Sequence, residues 1–214
     1  MTKQLLSFAA ALALSALANP ALAQNDGLRD PLATHCAAPI FPIEAARYEL
    51  AGTTWLAVDL DDDGRPGNVR LHRGSGWKVL DDMALRGLKT CRFDPAGDPQ
   101  VRRRDIIKSY KWELGPSGEQ GRPAALVAGS CQASERFSAF RALSGDVTGS
   151  EGLLVRFLVD PAGKPFGIKF ENDTTPADQQ AGAAWLASCS FTPARGKAGP
   201  APGNLYGRLI PKTV

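Results

Sequence analysis

The chain has 214 residues, of which 25 are basic and 22 acidic, and a formal charge of +3. A balance this near neutrality gives no general affinity for nucleic acid. With only His35 and His72 as histidines and no C-x-x-C pair, the composition also speaks against a zinc site and a redox dithiol.

In chain order, Lys3 precedes an apolar run from Leu5 to Ala18 and a small-residue site at Ala21-Leu22-Ala23, which reads as a signal peptide over 1–23, cleaved after Ala23. The run is shorter than the roughly 20 residues a bilayer-spanning helix needs. Cys36, the first cysteine, lies well beyond the cleavage site, so no lipoprotein anchor is expected. The mature chain is expected in the periplasm, or at the inner membrane if the signal is retained as an anchor. Residues 24–32 are a short leader.

A first domain is expected over 33–115. Pro42 suits a first helical position, with Ala45, Ala46 and Tyr48 following and Gly52 as a stop. Thr54, Leu56, Val58 and Leu60 share one parity, the period of a strand with one buried face. Asp62-Asp63-Gly64 makes the turn into a second strand containing Val69 and Leu71. Trp77, Leu80, Met83, Ala84 and Leu88 recur at helical spacing. Ile106 to Leu114 reads as a third strand.

A linker is expected over 116–127, where Gly115-Pro116-Ser117-Gly118 and Gly121-Arg122-Pro123 show no apolar period. The second domain, 128–214, repeats the order. Val155, Phe157 and Val159 alternate on one strand and Phe166, Ile168 and Phe170 on the next. A helix follows with Thr175 as N-cap, Pro176 first and Asp178 in its opening turn, its apolar face formed by Ala181, Ala184 and Trp185. A last strand lies near Leu205 to Ile210.

Both halves close on C-x-F-x-P, at Cys91 to Pro95 and at Cys189 to Pro193, 98 residues apart, which marks an internal repeat. Four cysteines allow three pairings. The matched spacings, Cys36 to Cys91 and Cys131 to Cys189, favour one disulfide within each repeat, worth about 4 kcal/mol each by loop-closure entropy. Such bridges belong to an exported protein.

Phe41-Pro42 with Ala45, the strand-turn-strand around Asp63-Gly64-Arg65, Ser75-Gly76, Leu80-Asp81, Ala84-Leu85 and Cys91-Arg92-Phe93-Asp94-Pro95 together resemble the C-terminal domain of TonB-family energy transducers. The resemblance covers about 80 residues of the first domain well, and the second only through its hairpin, helix and closing motif. It implies an α+β fold class: two small domains, each with helices packed on a three-stranded antiparallel sheet, the second copy divergent. It further implies that a sheet edge pairs with a short extended segment of an outer-membrane transporter. The chain departs from full-length transducers in having no convincing anchor and no long Pro/Lys-rich arm, in duplicating the domain, and in carrying Cys91 where the family's signature has an aromatic.

Other motifs carry less. The run Asp59 to Gly64 opens like a calcium loop, but its twelfth position is Arg70, where a bidentate Glu is needed. Gly74-Ser75-Gly76 is not a nucleophile elbow. Asn172-Asp173-Thr174 matches a glycosylation sequon. Trp55 and Trp77 read as packing groups before ligand platforms, and Trp55, on the parity opposite Leu56 and Val58, is the better surface candidate of the two.

The expected function is a non-enzymatic binding or adaptor module that captures an extended peptide of an envelope protein by strand addition. Its expected edge comprises Arg102, Arg103, Arg104, Ile107, Lys108, Ser109, Tyr110, Lys111 and Trp112. No cofactor, metal, nucleic acid or small-molecule substrate is expected. Two rival readings are a TonB-type transducer with an uncleaved anchor and a self-associating structural envelope protein, for which a homodimer is the simplest form.

Overall fold

The computed structural model describes residues 33–36, 39–93, 103–114, 122–145, 147–171 and 174–212. The signal peptide, the leader, Arg102, the first half of the linker and the Asn172-Asp173 part of the sequon lie outside these residues. Within them the chain is a mixed α/β protein of antiparallel sheets and three helices.

The first half runs β1 (Ala33–His35), α1 (Ile43–Arg47), β2 (Gly52–Val58), β3 (Arg70–Arg73), α2 (Lys78–Lys89), β4 (Arg92–Phe93) and β5 (Ile106–Trp112). The main sheet has the order β3-β2-β5, and β1 pairs separately with β4. Thr54, Leu56 and Val58 are fully buried, together with Leu80, Ala84 and Leu88 of α2. Leu60 lies beyond the strand, in a bridge to Pro66. Pro42 is the N-cap of α1 rather than its first residue, with extended ψ of 135°. In the β2–β3 turn the Asp61 carboxylate accepts the N–H groups of Asp63 and Arg65, and Gly64 takes φ of +73°. The acidic run therefore closes a turn on its own backbone.

The second half runs β6 (Ala125–Leu126), β7 (Phe137–Ala142), β8 (Leu153–Val159), β9 (Pro165–Phe170), α3 (Pro176–Ser188), β10 (Phe191–Thr192), β11 (Ala194–Gly196), β12 (Gly199–Ala201) and β13 (Gly203–Pro211). Its sheet has four strands in the order β7-β13-β8-β9, not three. The segment between β6 and β8, which in the first half holds α1, is here the strand β7 on the outer side of β13. Phe137 and Phe140 are three residues apart, yet both are buried, because the register shifts beside Pro211 and brings both inward. Phe137 packs on Trp185 at 6.0 Å and Phe140 on Phe157 at 5.5 Å between ring centroids. The expected linker ends too late, since Ala125–Leu126 already pairs with β10 and Ala124 is part of the second core.

The helix α3 starts as read, with the Thr175 hydroxyl accepting the Asp178 N–H. Its buried face is Gly182, Trp185 and Leu186, and Ala184 is exposed. A Cβ at Gly182 would stand 2.6 Å from the Phe170 ring and 2.8 Å from Leu209, so a missing side chain sets how closely this helix lies on the sheet. On β9, Phe166 is 45% exposed because a register irregularity opposite Arg156–Leu158 breaks the expected alternation.

The halves are fused rather than strung on a linker. The sequence of β8, Leu-Leu-Val-Arg-Phe-Leu-Val, is buried on both faces. Val155, Phe157 and Val159 belong to the second core, whereas Leu154 joins the first core with Val147, and Tyr206 packs against it. Tyr206 meets Trp77 edge-on at 5.3 Å, the Tyr48 hydroxyl donates to the Gly167 carbonyl at 2.7 Å, and Asn204 donates to the Tyr48 carbonyl at 3.0 Å. Between them lies Arg156, 5% exposed, ion-paired with the equally buried Glu171 and with Glu44 at 2.6 Å. Its guanidinium stands 5.1 Å from the Tyr48 ring centroid and 6.0 Å from that of Trp77. Disulfides join Cys36 to Cys91 and Cys131 to Cys189.

Candidate functional site

The outer edge of β5 is built from its register against β2. Val58, Leu56, Thr54 and Gly52 face Ile106, Lys108, Tyr110 and Trp112, while Ala57, Trp55 and Thr53 face Ile107, Ser109 and Lys111. Asp59 exchanges hydrogen bonds on the β3 side, with Asn68 and Gly67, whereas the Leu60 N–H turns the other way to the Arg103 carbonyl at 2.7 Å. Alternation along an antiparallel ladder then directs the backbone groups of Val58, Leu56, Thr54 and Gly52 at β5. On β5 the backbone groups of Ile107, Ser109 and Lys111 consequently point away from the sheet. Among the described residues no strand lies on that side.

The strand is anchored from behind. Tyr110 and Trp112 are buried. The Trp112 indole N–H donates to Thr54 Oγ1 at 2.9 Å, Thr54 Oγ1 donates to Asp81 Oδ1 at 2.6 Å, and the Ser75 N–H donates to the same oxygen at 2.8 Å. This chain ties the end of β5 to the first turn of α2. Phe41 stands edge-on to Trp112 at 5.9 Å. Burial pushes the Tyr110 phenol up to about 12 and lowers the Lys108 ammonium from its ordinary range.

Of the basic residues expected here, Arg103 is held by Asp62 at 2.7 Å and Lys111 by Glu113 at 2.6 Å. Lys108 stands over the Phe93 ring at 5.9 Å, Arg104 is exposed, and Arg102 lies outside the described residues. The cluster is thus less a bare positive patch than a set of solvated pairs, each worth little.

The corresponding edge of the second half is occupied. There the Leu143 N–H donates to the Tyr206 carbonyl at 3.0 Å, and Gly207, Arg208, Leu209 and Ile210 of β13 pair with Ala142, Arg141, Phe140 and Ala139 of β7. Sequence reading did not foresee β7, whose one signal is the pair Phe137 and Phe140. Nor did it foresee Arg156, whose signal is a charge inside an otherwise apolar strand.

Residues 37–114 match the family model described as Gram-negative bacterial TonB protein C-terminal. No curated protein and no solved structure matches the chain. The stretch from before α1 to just past β5, open edge included, is a TonB C-terminal domain.

Proposed function

We propose that the first half is an exported peptide-binding module that receives an extended segment of an envelope protein as an added strand on β5. The observation that carries this reading is the contrast between the two halves. On β13 the chain supplies its own fourth strand, while on β5 the outward N–H and C=O groups of Ile107, Ser109 and Lys111 stand without one among the described residues. Backbone groups so displayed give affinity to any extended chain, and neighbouring side chains select among them. The family, a protein-interaction family of the cell envelope, supports a protein partner in general terms. The cysteine pairing and the leading signal motif support the periplasm as its place.

The second half reads as a divergent copy of the first. Asp160 caps its turn through the N–H groups of Ala162 and Lys164 as Asp61 does through Asp63 and Arg65. The Phe191 N–H donates to the Gly163 carbonyl as that of Phe93 does to Gly64, both at 3.0 Å. In this copy β7 takes the place of a ligand.

The test is site-specific crosslinking in cells from a photoreactive residue replacing Lys111, in Ser109→Ala and Ser109→Pro backgrounds. Proline removes an outward N–H. Capture of a segment of an outer-membrane protein by the alanine form and its loss in a folded proline form are expected. Equal capture by both, or capture of nothing but second copies of the chain, overturns the proposal.

A further inference from the structure

The chain has four tryptophans, and three of their indole N–H groups have acceptors. Trp77 donates to the Ala51 carbonyl at 3.1 Å, Trp112 to Thr54 at 2.9 Å and Trp185 to the Gln132 carbonyl at 2.9 Å. The fourth, Trp55 Nε1, is buried and has no partner among the described residues. Native proteins rarely leave a buried donor unsatisfied, so each exception calls for a physical reason.

Trp55 sits on the face of the first sheet turned away from α2, directly opposite Ser109 of the open edge. On its other side the Arg73 guanidinium, itself exposed, stands 5.1 Å from the ring centroid. Along that face of β5, small Ser109 lies between Ile107 and Lys111. A residue added opposite Ser109 would fall on the same face, one strand further out, with its Cα roughly 10 Å from that of Trp55. An indole and a side chain of glutamate length together bridge that gap over the short serine. One acceptor there would meet the orphan donor, with the Arg73 cation stacked on the same ring; Lys111 is already paired with Glu113. Lysine at the same place would bring a second cation toward Arg73, and alanine would leave the N–H as it stands.

We infer that Trp55, Ser109 and Arg73 form a specificity subsite for a carboxylate side chain, so that the strand added to β5 carries glutamate opposite Ser109. This inference rests on the strand-addition reading above and names what that edge selects. Ser109 provides the notch, Trp55 the neutral donor and Arg73 the charge.

The probes are four capped, dye-labelled peptides, Thr-Thr-Val-X-Val-Thr-Thr with X as glutamate, glutamine, alanine or lysine, titrated into the full chain by fluorescence anisotropy. A charge-assisted hydrogen bond predicts that the glutamate peptide binds about tenfold tighter than the alanine one, with glutamine between them and lysine weakest. Trp55→Phe keeps the ring and deletes the donor, so it should shrink the glutamate-to-alanine ratio. Ser109→Val should close the notch with the same effect on the ratio. Circular dichroism checks the fold of each variant. Equal binding of all four peptides, abolished by Ser109→Pro, overturns the subsite and leaves strand addition standing. Binding of none overturns both. A glutamate preference that survives Trp55→Phe and Ser109→Val also defeats the assignment.

Discussion

Arg156 and Glu171 offer the sharpest energetic test of how the two halves are joined. Both are 5% exposed, and the second Glu171 oxygen accepts the Lys78 N–H at the start of α2 at 3.4 Å. Arg156→Met keeps the bulk but leaves a buried carboxylate with a long hydrogen bond, and removing one member of such a pair costs about 3 to 5 kcal/mol. Replacing both, with Arg156→Met and Glu171→Leu, removes the stranded charge and should return the protein to within about 1 kcal/mol of wild type. Glu44 is half exposed on its side chain, so Glu44→Gln should cost under about 1 kcal/mol. Urea unfolding followed by tryptophan fluorescence and by circular dichroism measures all three. Because Val147 and Leu154 of the second half lie in the first core, the two probes should trace one transition. Separate transitions, or a double variant no more stable than Arg156→Met, would refute this account of the junction.

Three further outcomes are expected. Tyr110 is raised to about 12 by burial, above the ordinary value near 10. Its contribution is therefore full below pH 10 and lost as pH rises through the folded value, because the unfolded chain releases the proton first. The loss should be about 2 kcal/mol between pH 10 and 12 and absent in Tyr110→Phe. Gly182→Ala should cost about 1 to 3 kcal/mol, since its Cβ would press into Phe170 and Leu209; unchanged urea stability would show that α3 can back away. Removing either disulfide by paired Cys→Ser substitution should cost up to about 4 kcal/mol, and non-reducing peptide mapping should recover Cys36 with Cys91 and Cys131 with Cys189 and no peptide joining Cys91 to Cys131.

Where an element has one wet face and one dry face, its sequence reads cleanly. Thr54, Leu56 and Val58 announced the central strand of the first sheet, and Thr175-Pro176 with Asp178 the start of α3, because local period and capping chemistry decide them. The parity argument also put Trp55 on the outer face. Long-range packing hid the rest. The strand β8 is dry on both sides only because another half lies against it, so alternation alone identified Val155, Phe157 and Val159 and not the role of Arg156 between them. The strand β7 depends on a register irregularity that no period encodes. At the candidate edge, the run Ile107 to Trp112 could be named in advance, but the direction of each N–H, the pairing of Arg103 with Asp62 across 41 positions and the missing acceptor at Trp55 exist only in three dimensions.

The strand β7 has a consequence for stoichiometry. A protein with two similar sheets and both equivalent edges vacant would be divalent, able to bridge two partner segments or to polymerise edge to edge. With β7 seated on β13 one of those edges is spent within the chain, so of this equivalent pair only β5 stays uncovered among the described residues. If β5 receives a strand as proposed, this pair of edges binds one segment where a divalent molecule would bind two. Two substitutions that expel β7, Phe137→Asp with Phe140→Asp, would make the pair divalent, a change legible as higher-order assemblies in light scattering.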